Sequence, residues 1–246
     1  MDRDITACVI IIGNEILSGR TQDLNLAYIG KRCEELGIHL IETRVIPDIE
    51  ATIVTTVNEC RALFTYVFTT GGIGPTHDDI TSASIAAAFG KEIKRRAEAV
   101  AAMDSYYELG KLNAARLKMA DVPEDSILID NPISGAPGFQ LDNVFVLPGV
   151  PMIMQAMFEG ITDRLTGGAP ILTANVATNL GEGALAEDLG KLQNNYADVS
   201  IGSYPYFKKG KLGVNLVLRS TDAERLAESK QELQIMIRRL RGAIVE

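Results

Sequence analysis

The chain opens on an almost unbroken apolar run, Ile5 to Ile12, that stops at Gly13. β-favouring residues without polar alternation mark a strand buried on both faces. Leu26, Ile29, Gly30, Cys33 and Leu36 then recur at helical spacing, with Gly37 placed to end the helix. Ile38 to Ile46 predicts a second strand closed by Pro47. Ile49, Ile53, Val57, Cys60 and Phe64 line one face of a helix that Asp48 is placed to cap. Tyr66 to Thr70 is a short third strand, and beyond a glycine-rich loop Ile80, Ile85, Ala88 and Phe89 continue a helix to Gly90. This alternation implies right-handed βαβ crossovers: an α/β fold in three layers, with a mostly parallel sheet covered on both faces.

Residues 97–119 are rich in Ala, Glu, Lys, Leu and Met and read as helical, with a break at Gly110. Ser126 to Asp130 and Val144 to Leu147 predict two more strands. They flank "NPISGAPGF" (Asn131 to Phe139), and the second runs into "LPGVP" (Leu147 to Pro151). Ile153, Met157, Ile161 and Leu165 return to helical spacing until Gly167 and Gly168, where a boundary separates a domain of residues 1–168 from a small α+β domain of residues 169–246. In the latter, Ile171 to Leu180 reads as a strand, Ala184 to Tyr196 as a helix, and Val199 to Phe207 with Leu212 to Arg219 as a hairpin around "KKGK". Thr221 and Glu224 form a capping-box pattern opening a helix to about Arg241, and Ala243 to Val245 offers a final strand. The order is that of a split βαβ unit.

Lys and Arg total 24 against 32 Asp and Glu, a net charge of −8, which disfavours nucleic acid and anionic membrane as partners. No stretch approaches the roughly 18 apolar residues of a membrane span, and the first residues lack a signal peptide's layout, so a cytoplasmic protein is expected. Cys8, Cys33 and Cys60 lie far apart inside apolar patterns and read as reduced core residues. "GKLG" (Gly210 to Gly213) resembles the GxxG loop of an RNA-binding module. It falls in a hairpin of an acidic chain, so Tyr204, Tyr206 and Phe207 read as packing or surface residues.

Candidate chemistry concentrates in "TTGGIGPTHDD" (Thr69 to Asp79). Parallel sheets place ligands beyond the carboxyl ends of their strands, where loops deliver backbone amides. Three glycine-bearing segments fall at such ends: "GNEILSG" from Gly13, the loop Gly71 to Thr76, and Gly149 between Pro148 and Pro151. A loop such as GGIGPT can aim N–H groups at a phosphate without a lysine. The Walker A motif is excluded because the loop continues Thr76, His77, Asp78. The dinucleotide fingerprint is excluded because His77 stands where its third glycine is required. Expected ligand contacts are therefore Gly13, Glu15, Asn25, Thr70, Gly71, Gly72, Gly74, Pro75, Thr76, Pro148, Gly149 and Pro151. Asp78 and Asp79 are placed to start the following helix, where they either complement its dipole or hold a divalent metal and a water. Asp48 serves either as a helix cap or on the same rim. His77 is an acid/base candidate, and His39, in a strand, reads as structural.

"GNEILSGRTQDLN", "TTGGIGPTHDDIT", "NPISGAPGF" and "LPGVP" together resemble, in order through about residues 5 to 165, the molybdopterin-binding (MoaB/Mog-like) domain in the version found at the front of CinA, the competence/damage-inducible protein. The tail resembles the small KH-like domain that follows there. The resemblance implies a glycine loop that binds the phosphate of a pterin or nucleotide, and adds Gly135, Ala136, Pro137 and Gly138 to the expected contacts. It also implies functional roles for Asp48 and Asp79. CinA-type members are linked to hydrolysis of ADP-ribose dependent on Mg²⁺, Mn²⁺ or Co²⁺, and a related domain of eukaryotic FAD synthase to FAD hydrolysis. A catalytic set of Asp48, Asp78 and Asp79 follows, with Asp78 and Asp79 on the metal and molybdopterin as the alternative ligand. A homo-oligomer is implied by resemblance alone. The resemblance covers no part of the amidase domain that completes many CinA proteins, so deamidation is not expected. Asn14 replaces the aspartate usual in "GDE", and Ser134 stands where glycine is common.

Overall fold

The computed structural model describes residues 5–107, 112–208 and 210–245, and the chain divides into two compact units, Met1–Gly168 and Ala169–Glu246. The first unit runs β1 (Thr6–Ile12), α1 (Asn14–Leu17), α2 (Asn25–Glu35), β2 (His39–Ile46), α3 (Glu50–Leu63), β3 (Tyr66–Thr70), α4 (Thr81–Phe89), β4 (Ile93–Arg95), α5 (Ala97–Asp104) and α6 (Ala114–Leu117). It continues through a 3₁₀ turn (Lys118–Ala120) to β5 (Asp121–Pro123), β6 (Ile127–Ile129), β7 (Gly138–Leu141), β8 (Val144–Leu147) and α7 (Pro151–Glu159). A six-stranded sheet has the order β2-β1-β3-β8-β7-β6. Its β2, β1, β3 and β8 are parallel, while β7 and β6 are antiparallel to their neighbours.

The apolar run of β1 has a direct cause. Ala7, Val9 and Ile11 enter one core with Ile29 and Cys33 of α2 and Met154, Met157 and Phe158 of α7. Cys8, Ile10 and Ile12 enter a second core with Ile53, Val57 and Cys60 of α3 and Ile85 of α4. Successive side chains of a strand point to opposite faces, so a strand between two helical layers must be apolar at every position. Phe68 of β3 anchors the first core, its ring 5.2 Å from Phe158 and 5.5 Å from Phe145. This is the expected three-layer α/β fold. The three cysteines are buried free thiols, and Sγ of Cys8 lies 3.5 Å from Sγ of Cys60.

Several elements differ from expectation. The helix read across residues 97–119 is two short helices. α5 ends where Ser105 Oγ donates to the Ala102 carbonyl at 2.7 Å, and α6 starts afresh with Asn113 accepting the Arg116 N–H at 3.0 Å. Side-chain bonds to nearby backbone compete with the helix and override its propensity. The break predicted at Gly110 lies outside the described residues. β7 was hidden in a Gly/Pro segment because its first residue must be glycine: a Cβ on Gly138 would stand 2.3 Å from the Val146 carbonyl oxygen. β4 and β5, three residues each, carry no periodic signal.

The second unit consists of β9 (Leu172–Thr178), α8 (Glu182–Asn195), β10 (Ser200–Lys208), β11 (Lys211–Ser220), α9 (Ala223–Arg239) and β12 (Ile244–Val245). Its antiparallel sheet has the order β10-β11-β9-β12. Val176, Val214, Leu216 and Leu218 pack against Leu185 and Leu192 of α8 and Leu233 and Ile237 of α9. The cap of α9 is Asp222, not Thr221. Its Oδ1 accepts the N–H groups of Glu224 at 2.9 Å and Arg225 at 3.1 Å, and a carboxylate serves the helix start better than a hydroxyl. No helix among the described residues is long and apolar enough to cross a membrane.

The ends of β1, β3 and β8 meet at Gly71, whose φ is +100° and whose ideal Cβ would lie 2.2 Å from the Ile12 carbonyl oxygen. Gly71→Ala is expected to destabilise the protein by about 2–4 kcal/mol. A lower urea midpoint at unchanged m-value would verify it. An unshifted midpoint would contradict the packing described.

Candidate functional site

The sheet order makes β1, β3 and β8 neighbours, so the loops that leave their carboxyl ends lie side by side. Gly71 fastens them. Its N–H donates to the Leu147 carbonyl at 3.1 Å, its Cα abuts Ile12, and Gly149 packs on it with an ideal Cβ 3.4 Å from the Gly71 Cα. Gly72, at φ +67°, lies under Thr81: its carbonyl accepts the Thr81 N–H at 3.0 Å, and a Cβ there would stand 2.1 Å from Thr81 Oγ1. Thr81 Oγ1 is buried and has no hydrogen-bond partner. Two of the loop's glycines are thus demanded by packing within the chain.

The loop's amides divide into two groups. Those of Gly71 and Thr76 are engaged, the latter donating to Asp79 Oδ2 at 2.8 Å. Among the described residues, no hydrogen bond within the chain takes the N–H of Gly72, Ile73 or Gly74. Gly74 lets the Asp79 carboxylate fold back, since its ideal Cβ would lie 2.7 Å from Asp79 Oδ2. Gly13 does the same for Glu15, whose Oε1 would lie 2.5 Å from a Cβ there, while the Gly13 N–H donates to the Ile46 carbonyl at 3.1 Å.

Asp78 and Asp79 do not start α4, which begins at Thr81 after Ile80 with no side-chain cap. They belong to a tight turn. The Thr76 hydroxyl oxygen lies 2.5 Å from Asp79 Oδ2 and in hydrogen-bond contact with Asp78 Oδ1. A hydroxyl has one proton, so it satisfies one of those two anionic oxygens at a time. The Thr76 hydroxyl, followed by the residue's own amide, holds the Asp78 carboxyl below the ordinary aspartate range. The His77 side chain is 99% exposed, with Nδ1 4.0 Å from Asp78 Oδ1, which places it beside the turn rather than in a pocket suited to proton transfer.

Lys118 was not singled out in the sequence. Its Nζ donates to the carbonyls of Thr76 at 2.6 Å and Asp79 at 2.8 Å, so a lysine does serve this loop, from 42 residues downstream. No motif links the two segments, and only the fold brings them together.

Asp48 does not cap α3, where Ile49 is the N-cap residue without a side-chain bond. Its Oδ2 instead accepts the Asn14 N–H at 2.8 Å, so it caps the one-turn helix after β1. Asn25 is 3% exposed and joins α2 to the β8 loop, its Nδ2 donating to the Gly149 carbonyl at 2.9 Å while Oδ1 has no partner. Glu15, Asn25, Thr70, Gly71, Gly149 and Pro151 come together with Asp23 around a cavity of about 80 Å³. That is room for roughly two or three waters at ~30 Å³ each, far less than a nucleotide. Gly74 and Asp79 line a second cavity of about 130 Å³ with Lys118 and Asp121. Pro75 and Thr76 are exposed, and Pro148 is half-buried.

The turn from Asn131 lies apart. Gly135 and Pro137 border a groove of about 680 Å³ with Arg96, Tyr106 and Asp130. Asn131 satisfies the turn from within, accepting the N–H groups of Ile133 at 3.0 Å and Ser134 at 3.1 Å and donating to the Ala136 carbonyl at 2.8 Å. Gly135 is fixed by packing, its ideal Cβ lying 2.6 Å from the Tyr106 ring. Gly138 is buried at the start of β7.

The sequence matches the family described as "Probable molybdopterin binding domain" over residues 8–167 and that described as "FAD synthase, middle domain" over residues 170–241. A protein of Archaeoglobus fulgidus is 36% identical over 200 residues, 80% of this chain and 84% of the relative. A probable FAD synthase of Caenorhabditis elegans is 30% identical across 89% of this chain and 47% of its own length. A CinA-like protein of Fervidobacterium nodosum is 28% identical across 83% and 52%. The chain thus spans about half the length of these last two relatives. The crystal structure of CinA from Thermoplasma acidophilum, described as of unknown function, superposes with a TM-score of 0.62 at 33% identity, covering 65% of this chain and 98% of that one. With residues 8–167 matched, well over half of its length, the chain belongs to the probable molybdopterin binding domain family, in its CinA-like form.

Proposed function

We propose that the protein is a cytoplasmic, divalent-metal-dependent pyrophosphohydrolase acting on ADP-ribose or a similar nucleotide diphosphate. The observation that carries this reading is the acidic turn: two carboxylates face one Thr76 hydroxyl, beside the open amides of Gly72 and Gly74. The hydroxyl proton and the Thr76 N–H are shared between two carboxylates, which concentrates negative charge at the mouth of a loop suited to a phosphate. Among the described residues no three His, Cys, Asp or Glu side chains gather to hold a metal, so Asp78 and Asp79 would supply a two-carboxylate site of the kind Mg²⁺ and Mn²⁺ accept together with substrate phosphate. When bound, the metal supplies charge neutralisation at the phosphoryl oxygens and a more acidic water.

The chain's own groups have separate tasks. The N–H groups of Gly72 and Gly74 orient one phosphate by hydrogen bonds that cost no reorganisation. Thr76 holds the two carboxylates together, and Asp48 fixes the first turn after β1 by its bond to the Asn14 N–H. The similarity of both units to FAD synthase relatives supports a substrate with a pyrophosphate between two nucleoside-like groups. The family match also favours a second reading, a module that binds molybdopterin or its nucleotide conjugate without turnover.

Asp79→Asn is the decisive substitution, because an amide oxygen in place of Oδ2 still accepts the Thr76 N–H. Hydrolysis of ADP-ribose is expected to fall about 100-fold or more, while Tm stays within about 3 °C. Unaltered turnover in the variant would remove the mechanism. Binding is tested separately. ADP-ribose with Mg²⁺ at about a hundredfold excess over its Kd should add about 2.7 kcal/mol of stability. Stabilisation by molybdopterin with no turnover of any dinucleotide would select the second reading.

A further inference from the structure

We infer that Lys118 is the positioning residue of the acidic turn, its ammonium bridging the first and last carbonyls of Thr76 to Asp79 so that both carboxylates present to one cation. This deepens the metal-dependent reading above and rests on it.

The turn has an energetic problem. Asp78 and Asp79 converge on one hydroxyl, and like charges at such range repel. Among the described residues, no backbone-to-backbone hydrogen bond closes the segment from Gly74 to Asp79. The closure comes from Lys118, 2.6 Å from the Thr76 carbonyl and 2.8 Å from that of Asp79. Its choice of partner matters as much as its charge. An ammonium paired with the carboxylates would occupy the place of a cation. Bonded to the carbonyls instead, it draws the ends of the turn together without pairing with either carboxylate.

Lys118 is itself well placed for a fixed role. It opens the 3₁₀ turn that follows α6, whose start is capped by Asn113. The other end of that turn is tied down by the Arg96 N–H, which donates to the Ala120 carbonyl at 3.0 Å, and by the bidentate Arg95–Asp121 pair at 2.7 and 2.8 Å. A side chain on this support has less freedom to lose when it bonds the loop, which favours orientation over loose charge balance.

The inference has a sign that separates it from simple electrostatics. If Lys118 acted only as a nearby positive charge, removing it would tighten cation binding. If it positions the carboxylates, removing it weakens binding. Mn²⁺ affinity of the full chain, measured by calorimetry, is therefore the test, on the unmodified protein, Lys118→Met and Lys118→Arg. Lys118→Met is expected to weaken Mn²⁺ binding about 10- to 100-fold, and Lys118→Arg, whose guanidinium can still span two carbonyls, to restore most of it. Hydrogen exchange should show a faster Thr76 amide, the one bonded to the Asp79 carboxylate, in Lys118→Met and unchanged protection in β1, β3 and β8, confirming a folded protein. Mn²⁺ binding by Lys118→Met equal to or tighter than that of the unmodified chain overturns the inference. An unmodified chain that binds no Mn²⁺ overturns instead the metal-dependent reading on which it rests.

Discussion

The structure turns on a close approach at one residue. Gly71 brings the ends of three buried strands within contact: its Cα lies against the Ile12 carbonyl, its N–H is bonded to Leu147, and Gly149 packs on its Cα. The strands themselves are held by burial on both faces, so their ends cannot drift apart without opening one of two cores. The loops that follow β1, β3 and β8 each start within a residue or two of this contact. The rigidity that a binding site needs is thus supplied from below, by the sheet, and the loops inherit it.

Above that contact, the rim is organised by carboxylates bonded to backbone N–H groups. Asp48 takes the N–H of Asn14, Asp23 that of Leu26 at 2.8 Å, and Asp79 that of Thr76. Such charge-assisted bonds are stronger than neutral ones and fix each carboxylate without consuming a cation. The rim is therefore both ordered and negative. Lys118 reinforces the same arrangement by bonding to carbonyls.

Much of this architecture was legible in the sequence, for reasons specific to each element. β1, β3 and β8 are buried except at Thr6 and Tyr66, so their β-favouring runs were unambiguous, and the Gly37 and Gly90 stops correspond to left-handed residues with φ of +69° and +62°. Short elements without a period were not legible, as with β4, β5 and β7. Asp48 shows the limit of local reading. An aspartate ahead of an amphipathic helix has the sequence of a cap, but a competing N–H at Asn14, 34 positions earlier, takes its carboxylate. Lys118 shows the same limit from the other side, since nothing in "RLKMAD" betrays a bond to residues 76 and 79. Asp78 and Asp79 were legible as a pair but not as a turn, because their partner is a threonine hydroxyl rather than the helix start.

A run of glycines looks the same in sequence whether a ligand or the chain itself approaches the backbone, and here both causes operate. Gly71 and Gly72 are required by Ile12 and Thr81, while the close neighbour of Gly74 is the flexible Asp79 carboxylate. The open amides of the segment from Gly71 to Thr76 reduce to those of Gly72, Ile73 and Gly74, each carrying a fraction of a charge, beside the carboxylates of Asp78 and Asp79 and with one ammonium, that of Lys118, bonded to the carbonyls of the same turn. On that balance an isolated phosphate dianion gains little net attraction. An anion that settles on this loop does so best in company with a cation that cancels the aspartates. The same geometry that narrows the cradle thus couples phosphate binding to metal binding.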